Sequence, residues 1–233
     1  MDLTAKDAAR LLNVSENTIY AWIRNGTVPS YRVRDKYRLN RVELLEWATA
    51  RNMKVSPQIF RESRVKPPDL LLTNALRRGG VLYGLDCGDK SAALRAVCDL
   101  LPLPPKVDRE ELYGVLVARE ALCSTGIGNG VAIPHPRGPI VLGIDEPQVT
   151  LSFLRRPIEY GALDNKPVGI LFVIVSTTVR GHLLLLSHLM YALQDDEFRR
   201  LLDAGAAQDE ILTTLEKIEK QVAAKDKARG ASS

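Results

Sequence analysis

Three short apolar runs in the second half of the chain constrain its fold more than any other feature. They read VAIP at 131–134, VTLSFL at 149–154 and VGILFVIV at 168–175. Runs of this length are typical of buried strands, whereas a helix usually needs about 10–12 residues. Because segments with helical apolar spacing alternate with these runs, the sequence predicts an α/β domain with helices on the faces of a sheet.

The segments around the three runs carry helix signals. SAALRAVCDLL and REELYGVLVAREALC flank the proline-rich connection LPLPPKVD, where Asp108 and Glu111 predict an N-terminal cap. GHLLLLSHLMYALQ is predicted to form a helix that opens at Gly181, and DDEFRRLLDA and QDEILTTLEKIEKQ two further helices. The polar end, 223–233, is predicted to be a disordered tail.

The charge of the chain is unevenly distributed. Residues 1–66 carry 13 Lys and Arg against 7 Asp and Glu, a net charge of +6, whereas the rest carries 19 against 21, a net charge of −2. A basic segment joined to a slightly acidic one indicates that only the first meets a polyanion.

The basic segment begins with two helices and a tight turn. Thr4 with Asp7 predicts a capping box, Asn13 ends the first helix, Ser15 caps the second, and Gly26 supplies a left-handed exit. The second helix leaves a polar face of the kind that reads a DNA groove. Its candidate DNA-binding residues are Asn17, Thr18, Tyr20 and Arg24.

A cationic hairpin and a third helix follow. The stretch SYRVRDKYRLN alternates apolar and basic residues around Asp35, which predicts a half-buried hairpin. Asn40 with Glu43 then predicts a cap for a helix carrying Val42, Leu45 and Trp47. The basic residues of the hairpin, which would contact phosphates, are Arg32, Arg34, Lys36 and Arg38.

These features together resemble a known DNA-binding family. The stretch that starts LTAKDAARLLNVSENTIYAWIRNG and continues through the hairpin to RVELLEW closely resembles the excisionase-like, MerR-related winged helix-turn-helix family. The resemblance implies a small, mainly α DNA-binding domain at 1–53. A proline-containing linker is predicted at 54–69, before the larger domain at 70–222. A basic domain that docks on protein is the alternative.

A glycine-rich loop in the larger domain leads into a histidine between two prolines. The sequence is STGIGNG followed by VAIPHPRG, with His135 between Pro134 and Pro136. The loop lacks the Lys-Ser/Thr of a nucleotide-binding loop and the glycine spacing of a dinucleotide fingerprint. The only other histidines are His182 and His188, and Cys87, Cys98 and Cys123 lack metal-type spacing, so no metal site is predicted.

Phosphoryl acceptance remains as the chemistry for this site. A neutral imidazole carries a lone pair near physiological pH and is a suitable nucleophile. Backbone N–H groups at a helix start, together with a second imidazole or a guanidinium, can neutralise the charge of the product without a metal. The alternative is a turn with an incidental histidine.

The same residues resemble a second family. VLVAREALCSTGIGNGVAIPHPRG is similar to the enzyme IIA domains of the bacterial phosphotransferase system, in the fructose and mannitol class and most closely its nitrogen-regulatory branch. DNKPVGILFVIV and GHLLLLSHLMYAL extend the resemblance. It implies an α/β domain with a mixed sheet flanked by helices, and in-line transfer from a phosphohistidine on a small carrier protein, with no cofactor.

The resemblance also implies roles for individual residues. His135 would be the phosphorylated residue, His182 the second active-site histidine and Arg119 a nearby arginine, whereas His188 is expected to be structural. The remaining residues of the predicted phosphate pocket are Ser124, Thr125, Gly126, Gly128, Asn129 and Arg137. The family usually has glycine after the active histidine, where this chain has Pro136. Proline lacks the N–H that would contact the phosphoryl group, and the charge of Arg137 is the candidate to replace that contact.

The two halves together predict a bacterial regulator in which phosphorylation of His135 changes DNA binding. The predicted partners are DNA, the histidine phosphocarrier protein and a second copy in a homodimer. Two alternatives stay open: a phosphorylation-inert protein-binding module, or a phosphocarrier in sugar uptake. No apolar run approaches the length of about 18 residues that is needed to cross a bilayer, and the start MDLTAKDAARLL does not have the pattern of a signal peptide. We therefore expect no membrane contact and a cytoplasmic location.

Overall fold

The chain forms two compact units, Met1–Val65 and Lys66–Ser233, in a computed structural model. The division falls within the predicted linker at 54–69, which itself lies outside the described residues. The structure describes residues 2–33, 36–40, 43–44, 47–48, 51, 53, 71–105, 107–136, 144, 146–176 and 178–230.

The first unit contains two helices and a small antiparallel sheet. Its elements are β1 (Asp2–Leu3), α1 (Ala5–Leu12), α2 (Glu16–Arg24), β2 (Tyr31–Val33) and β3 (Lys36–Asn40). The strands lie in the order β1-β3-β2. The predicted hairpin is therefore present, although Arg34 and Asp35 lie outside the described residues.

The capping signals in this unit are confirmed. The hydroxyl of Thr4 accepts the N–H of Asp7 at 3.1 Å, and the carboxylate of Asp7 accepts the N–H of Thr4 at 3.0 Å. Asn13 takes a left-handed φ of 54° after α1, and Ser15 Oγ accepts the N–H of Thr18 at 3.1 Å. Gly26, with φ 65°, ends the turn after α2. These caps fix the two helices with a tight turn between them.

The third predicted helix is represented by helical residues 43–44 and 47–48; Val42 and Leu45 lie outside the described part. Leu44 and Ala48 are fully buried there. The ring of Trp47 packs against that of Trp22 on α2, with 5.0 Å between centroids. The small unit thus has an apolar core beneath α2.

The second unit is built from six helices and five strands among its described residues. They are α3 (Leu72–Gly79), β4 (Val81–Leu85), α4 (Lys90–Leu100), α5 (Arg109–Leu122), β5 (Gly126–Gly128), β6 (Val131–Ala132), β7 (Gln148–Ile158), β8 (Val168–Val175), α6 (Val179–Ala192), α7 (Asp196–Asp203) and α8 (Gln208–Gly230).

The five strands form one mixed sheet in the order β4-β7-β8-β6-β5. β4 runs parallel to β7, and β6 runs parallel to β8. β7 and β8 are antiparallel, as are β5 and β6. Central β8 is buried along almost its whole length, which explains its unbroken apolar sequence.

Two apolar cores cover the two faces of the sheet. One contains residues of α3, α6, α7 and α8, and the other contains residues of α4, α5 and the connection between them. The expected α/β architecture, a mixed sheet flanked by helices, is therefore present.

Three details differ from the sequence prediction. Helix α6 begins at Val179, two residues before Gly181, because Thr178 caps it by accepting the N–H of Gly181 at 3.0 Å. Helix α8 continues through Gly230, beyond the predicted start of the tail at 223. Helix α3 and strands β1, β4 and β5 were not predicted.

Candidate functional site

The two parallel strands β6 and β8 bring the ends of two chain segments to one edge of the sheet. The chain leaves β6 towards His135, and the N–H of Ile174 on β8 donates to the carbonyl of Pro134 at 3.1 Å. The chain leaves β8 towards Thr178 and helix α6, which carries His182. Because parallel strands end at the same edge, the two histidines meet there.

His135 is held in one orientation by the main chain. Its side chain is buried, with 3 % exposure, and Nδ1 lies 2.6 Å from the carbonyl oxygen of Ile133. A carbonyl only accepts hydrogen bonds, so Nδ1 carries the proton. In the neutral ring the lone pair is then on Nε2, which is the nucleophilic nitrogen.

His182 lies beside His135 in the first turns of α6. The ring centroids are 4.9 Å apart with an interplanar angle of 45°, and His182 is also buried. The N–H of His182 donates to the carbonyl of Thr178 at 3.0 Å. The second imidazole thus stands at the positive end of a helix, where negative charge is favoured.

Glu120, which the sequence analysis did not select as a site residue, anchors the glycine-rich loop. Its buried carboxylate accepts the N–H of Thr125 at 3.0 Å and the hydroxyl of Thr125 at 2.5 Å. Lys90 Nζ lies 3.3 Å from the same carboxylate. The only sequence signal was an acid five positions before the threonine, across a helix end.

The hydroxyl groups of Ser124 and Thr125 donate their protons to other groups of the protein. Ser124 Oγ donates to the carbonyl of Tyr160 at 3.2 Å and accepts the N–H of Gly126 at 3.2 Å. Thr125 Oγ1 donates to Glu120. Since a hydroxyl has a single proton, neither residue donates one to an oxyanion in this arrangement.

The tip of the loop is fixed from two sides. Asn129 has a left-handed φ of 51°; its N–H donates to Asp164 Oδ2 at 2.8 Å, and its carbonyl accepts from Arg199. The hydrogen bond from Asn129 N–H holds the pKa of Asp164 below its ordinary value. Gly128, with φ 89°, lies against Asp164. Asp164, which the sequence analysis quoted only as the start of DNKPVGILFVIV, and Arg199 were not selected as site residues, because both lie far from the loop along the chain.

Three further residues were singled out by the sequence analysis: Arg119, Pro136 and Arg137. Arg119 is buried and its guanidinium donates to the carbonyl of Cys123 at 2.8 Å, so it holds the end of α5 just before the loop. Pro136 is buried directly after His135. Arg137 lies outside the described residues. His188, on the other hand, contacts Glu219 at 3.2 Å.

Among the described residues, no group of three His, Cys, Asp or Glu side chains could hold a metal ion. Over the same residues, no helix has both the length and the apolar character needed to cross a bilayer.

In the first unit, helix α2 exposes part of the predicted DNA-binding set. Asn17, Tyr20 and Arg24 are exposed, whereas Thr18 is half-buried with its hydroxyl 2.8 Å from Ser15 Oγ. On the hairpin, the half-buried Arg38 is described. The side chains of Arg32, Arg34 and Lys36 lie outside the described part of the structure.

The mixed sheet and the loop that leads to a buried histidine define a known class of domain. A model of the family described as "Phosphoenolpyruvate-dependent sugar phosphotransferase system, EIIA 2" matches residues 75–218, more than half of the 233-residue chain. The chain therefore belongs to this family. A helix-turn-helix domain model matches residues 3–52.

The relatives of the second unit point to a particular branch. The chain is 35 % identical over 141 residues to a nitrogen regulatory protein from Pseudomonas aeruginosa, covering 59 % of this chain and 90 % of that protein. It is 33 % identical over 150 residues to a nitrogen regulatory protein from Escherichia coli, covering 61 % and 87 %. The crystal structure of nitrogen regulatory protein IIA-Ntr from Neisseria meningitidis is 30 % identical with a TM-score of 0.50, covering 58 % of this chain and 91 % of that one.

Proposed function

We propose that this protein is a DNA-binding regulator that accepts a phosphoryl group on His135 from a phosphohistidine carrier. The observation that carries the proposal is the pair of buried imidazoles, 4.9 Å apart between centroids, with Nδ1 of His135 donating to a main-chain carbonyl. This arrangement supports Nε2 as the atom that attacks phosphorus.

The transfer needs no further reactant. The Nε2 lone pair of His135 forms a bond to phosphorus while the bond between phosphorus and the donor imidazole breaks, and the electron pair returns to the donor nitrogen. His182 and the start of α6 stabilise the transferred negative charge. Arg119 holds the helix end before the loop, and Ser124, Thr125, Gly126, Gly128 and Asn129 shape the loop around the site. Arg137 remains a candidate for an additional charge.

The first unit supplies the DNA-binding half of the proposal. It rests on the helix-turn-helix match and on the exposed polar face of α2 with Asn17, Tyr20 and Arg24. Basic groups on α2 and on the hairpin contact phosphates, and the α2 face contacts base edges in the major groove. A homodimer would let two such units bind adjacent half-sites.

The decisive experiment follows the mass of the intact protein during incubation with phosphoenolpyruvate, the general phosphotransferase enzyme and the carrier. We expect wild type to gain one acid-labile phosphoryl group and His135→Ala to gain none. His188→Gln is the matched control, because position 188 lies on α6 but contacts Glu219 instead of His135. It should gain the group like wild type.

Phosphorylated and unphosphorylated wild type are then each titrated against a pool of random-sequence duplex DNA. The proposal predicts different binding midpoints for phosphorylated and unphosphorylated wild type. A wild type that takes up no phosphoryl group would favour the inert protein-binding module, in which Pro136 marks the change. Uptake with identical DNA binding in the two forms would favour the carrier in sugar uptake.

A further inference from the structure

A continuous series of hydrogen bonds joins Glu120 to the imidazole of His135. The carboxylate of Glu120 accepts the N–H of Thr125 at 3.0 Å and its hydroxyl at 2.5 Å. The carbonyl of Thr125 accepts the N–H of Ile133 at 3.0 Å. The carbonyl of Ile133 accepts Nδ1–H of His135 at 2.6 Å.

We propose that Glu120 is a positioning residue for phosphoryl acceptance, which fixes the tautomer and the ring orientation of His135 through Thr125 and Ile133. The proposal rests on the proposed function of His135 as acceptor. The N–H and the carbonyl of Thr125, and likewise those of Ile133, belong to different peptide groups. Glu120 therefore acts on His135 by fixing the position of the backbone between them. The last group held is the Ile133 carbonyl, which selects the Nδ1–H tautomer.

The burial of Glu120 supports this role. Its side chain is only 4 % exposed. Burying a carboxylate lowers the stability of the fold unless several hydrogen-bond donors satisfy its oxygens. Both of its oxygens accept the N–H of Thr125, and Lys90 Nζ provides a counter-charge at 3.3 Å. Lys90 also donates to the carbonyl of Tyr160 at 3.2 Å, the same carbonyl that accepts from Ser124. One carboxylate therefore organises both the start of the loop and the segment packed against it.

The geometry also explains why a glutamine would not replace this residue. An amide of the same size has a single acceptor oxygen, and if that oxygen takes the place of Oε2, which accepts both donors of Thr125, the NH₂ group faces Lys90 Nζ, which lies 3.3 Å from Oε1. Glu120→Gln therefore removes the charge and forces a donor against a donor, without leaving a cavity. Thr125→Val removes only the hydroxyl, whereas Thr125→Ser keeps it.

The test combines two measurements on the full-length chain. The ¹⁵N chemical shifts of the His135 ring report its tautomer in the unphosphorylated protein, and single-turnover kinetics with the phosphorylated carrier report the transfer rate. Glu110→Gln is the matched control, because this acid lies on the same helix in an exposed pair with Arg95.

We expect Glu120→Gln to mix the two tautomers and to slow transfer by about 10–100-fold, the usual effect of removing the partner that orients a histidine. The carrier concentration at half-maximal rate should stay unchanged, because the buried carboxylate of Glu120 bonds Thr125 and Lys90 inside the domain and is not part of the surface that a carrier would contact. Thr125→Val should show a smaller loss, and Thr125→Ser and Glu110→Gln should match wild type. If Glu120→Gln does not fold, the comparison of Thr125→Val with Thr125→Ser decides the question.

Unchanged tautomer and rate in Glu120→Gln, beside a wild type that is phosphorylated, would overturn this inference and leave the proposed function intact. A wild type that accepts no phosphoryl group would instead refute the proposed function. The tautomer measurement would then still test the positioning of His135 by itself, and a retained Nδ1–H tautomer in Glu120→Gln would refute it.

Discussion

Single residues set the shape of the loop next to His135. Gly126 lies so close to the β7–β8 connection that an added Cβ would stand 2.8 Å from both Cα and Cβ of Ala162. Its carbonyl also accepts the N–H of Leu163 at 3.3 Å, so the two segments cannot easily separate. The glycine at this position is therefore required for close approach of two backbones.

Gly126→Ala should destabilise the second unit by about 1–3 kcal/mol, the usual cost of forcing an extra group into a packed region. Gly114→Ala is the control, since that glycine is exposed on α5 with nothing within 4 Å of an added Cβ. It should stabilise by about 0.5–1 kcal/mol through helix propensity. Urea unfolding followed by far-ultraviolet circular dichroism measures both, and equal effects would contradict the close contact.

His182→Ala should slow phosphoryl transfer to His135 by about 100–1000-fold, the range typical of losing one group that stabilises transition-state charge. The reason is that His135 itself remains, so the nucleophile is retained while its neighbour is lost. Single-turnover kinetics give the rate, and intact mass gives the final extent. A variant that transfers as fast as wild type would remove His182 from the mechanism.

At the scale of elements, a partly buried acid connects three helices of the second unit. Glu219 on α8 accepts the N–H of Leu72 at 2.7 Å and the hydroxyl of Thr73 at 2.6 Å, at the start of α3. It also contacts His188 on α6. Since α3 has no side-chain cap of its own, Glu219 acts as its N-terminal cap from another helix.

This contact makes stability depend on pH. Burial acts to raise the pKa of Glu219, but hydrogen bonds from His188, Thr73 and Leu72 outweigh it and hold the pKa below its ordinary value. A carboxyl with a depressed pKa in the folded state contributes stability that is complete above its unfolded pKa and is lost as the pH falls through the folded one.

Glu219→Gln should therefore lower the free energy of unfolding by about 1–3 kcal/mol at neutral pH. The difference from wild type should shrink below about pH 4, where the wild-type carboxyl takes up a proton. Glu216→Gln, three residues away in an exposed pair with Arg77, is the control and should change little. A constant difference at all pH values would show that the charge of Glu219 is irrelevant.

Elements with local signals were predictable, and those that depend on distant partners were not. The caps at Thr4, Ser15 and Asp108 were readable because acceptor and helix start lie within three residues. The strand Gly126–Gly128 has poor intrinsic strand propensity and exists because Val131 and Ala132 pair with it. Likewise, the loop sequence pointed to His135 as a site residue. The contacts that Glu120, Asp164 and Arg199 make with the loop are visible only in the folded structure.

At the scale of the whole molecule, the two units differ in net charge. Residues 1–65 carry 12 Lys and Arg against 7 Asp and Glu, a net charge of +5, and residues 66–233 carry 20 against 21, a net charge of −1, so under the proposed function the phosphate contacts belong to the first unit. Such contacts release counterions, so DNA affinity should fall steeply with salt concentration.

Arg24→Ala should weaken DNA binding and reduce the slope of log affinity against log salt concentration by about 1, if this exposed residue of α2 contacts one phosphate. Arg156→Ala is the control, since this arginine carries the same charge and its side chain is 78 % exposed, but it pairs with Asp86 and belongs to the second unit. Fluorescence anisotropy of labelled duplex at several salt concentrations gives both slopes. Equal slopes in the two variants would place the DNA contacts elsewhere.

The tilted pair of Trp22 and Trp47, with an interplanar angle of 55°, also provides an intrinsic fluorescent probe of the first unit. These are the only two tryptophans in the chain, and both lie in the first unit, whereas His135 and His182 lie in the second unit, which contains no tryptophan. Selective tryptophan emission therefore observes one unit alone. A change in tryptophan emission after phosphorylation of His135 would show, without a label, that a chemical change in the second unit alters the first. The time course of the emission would give the rate of that change.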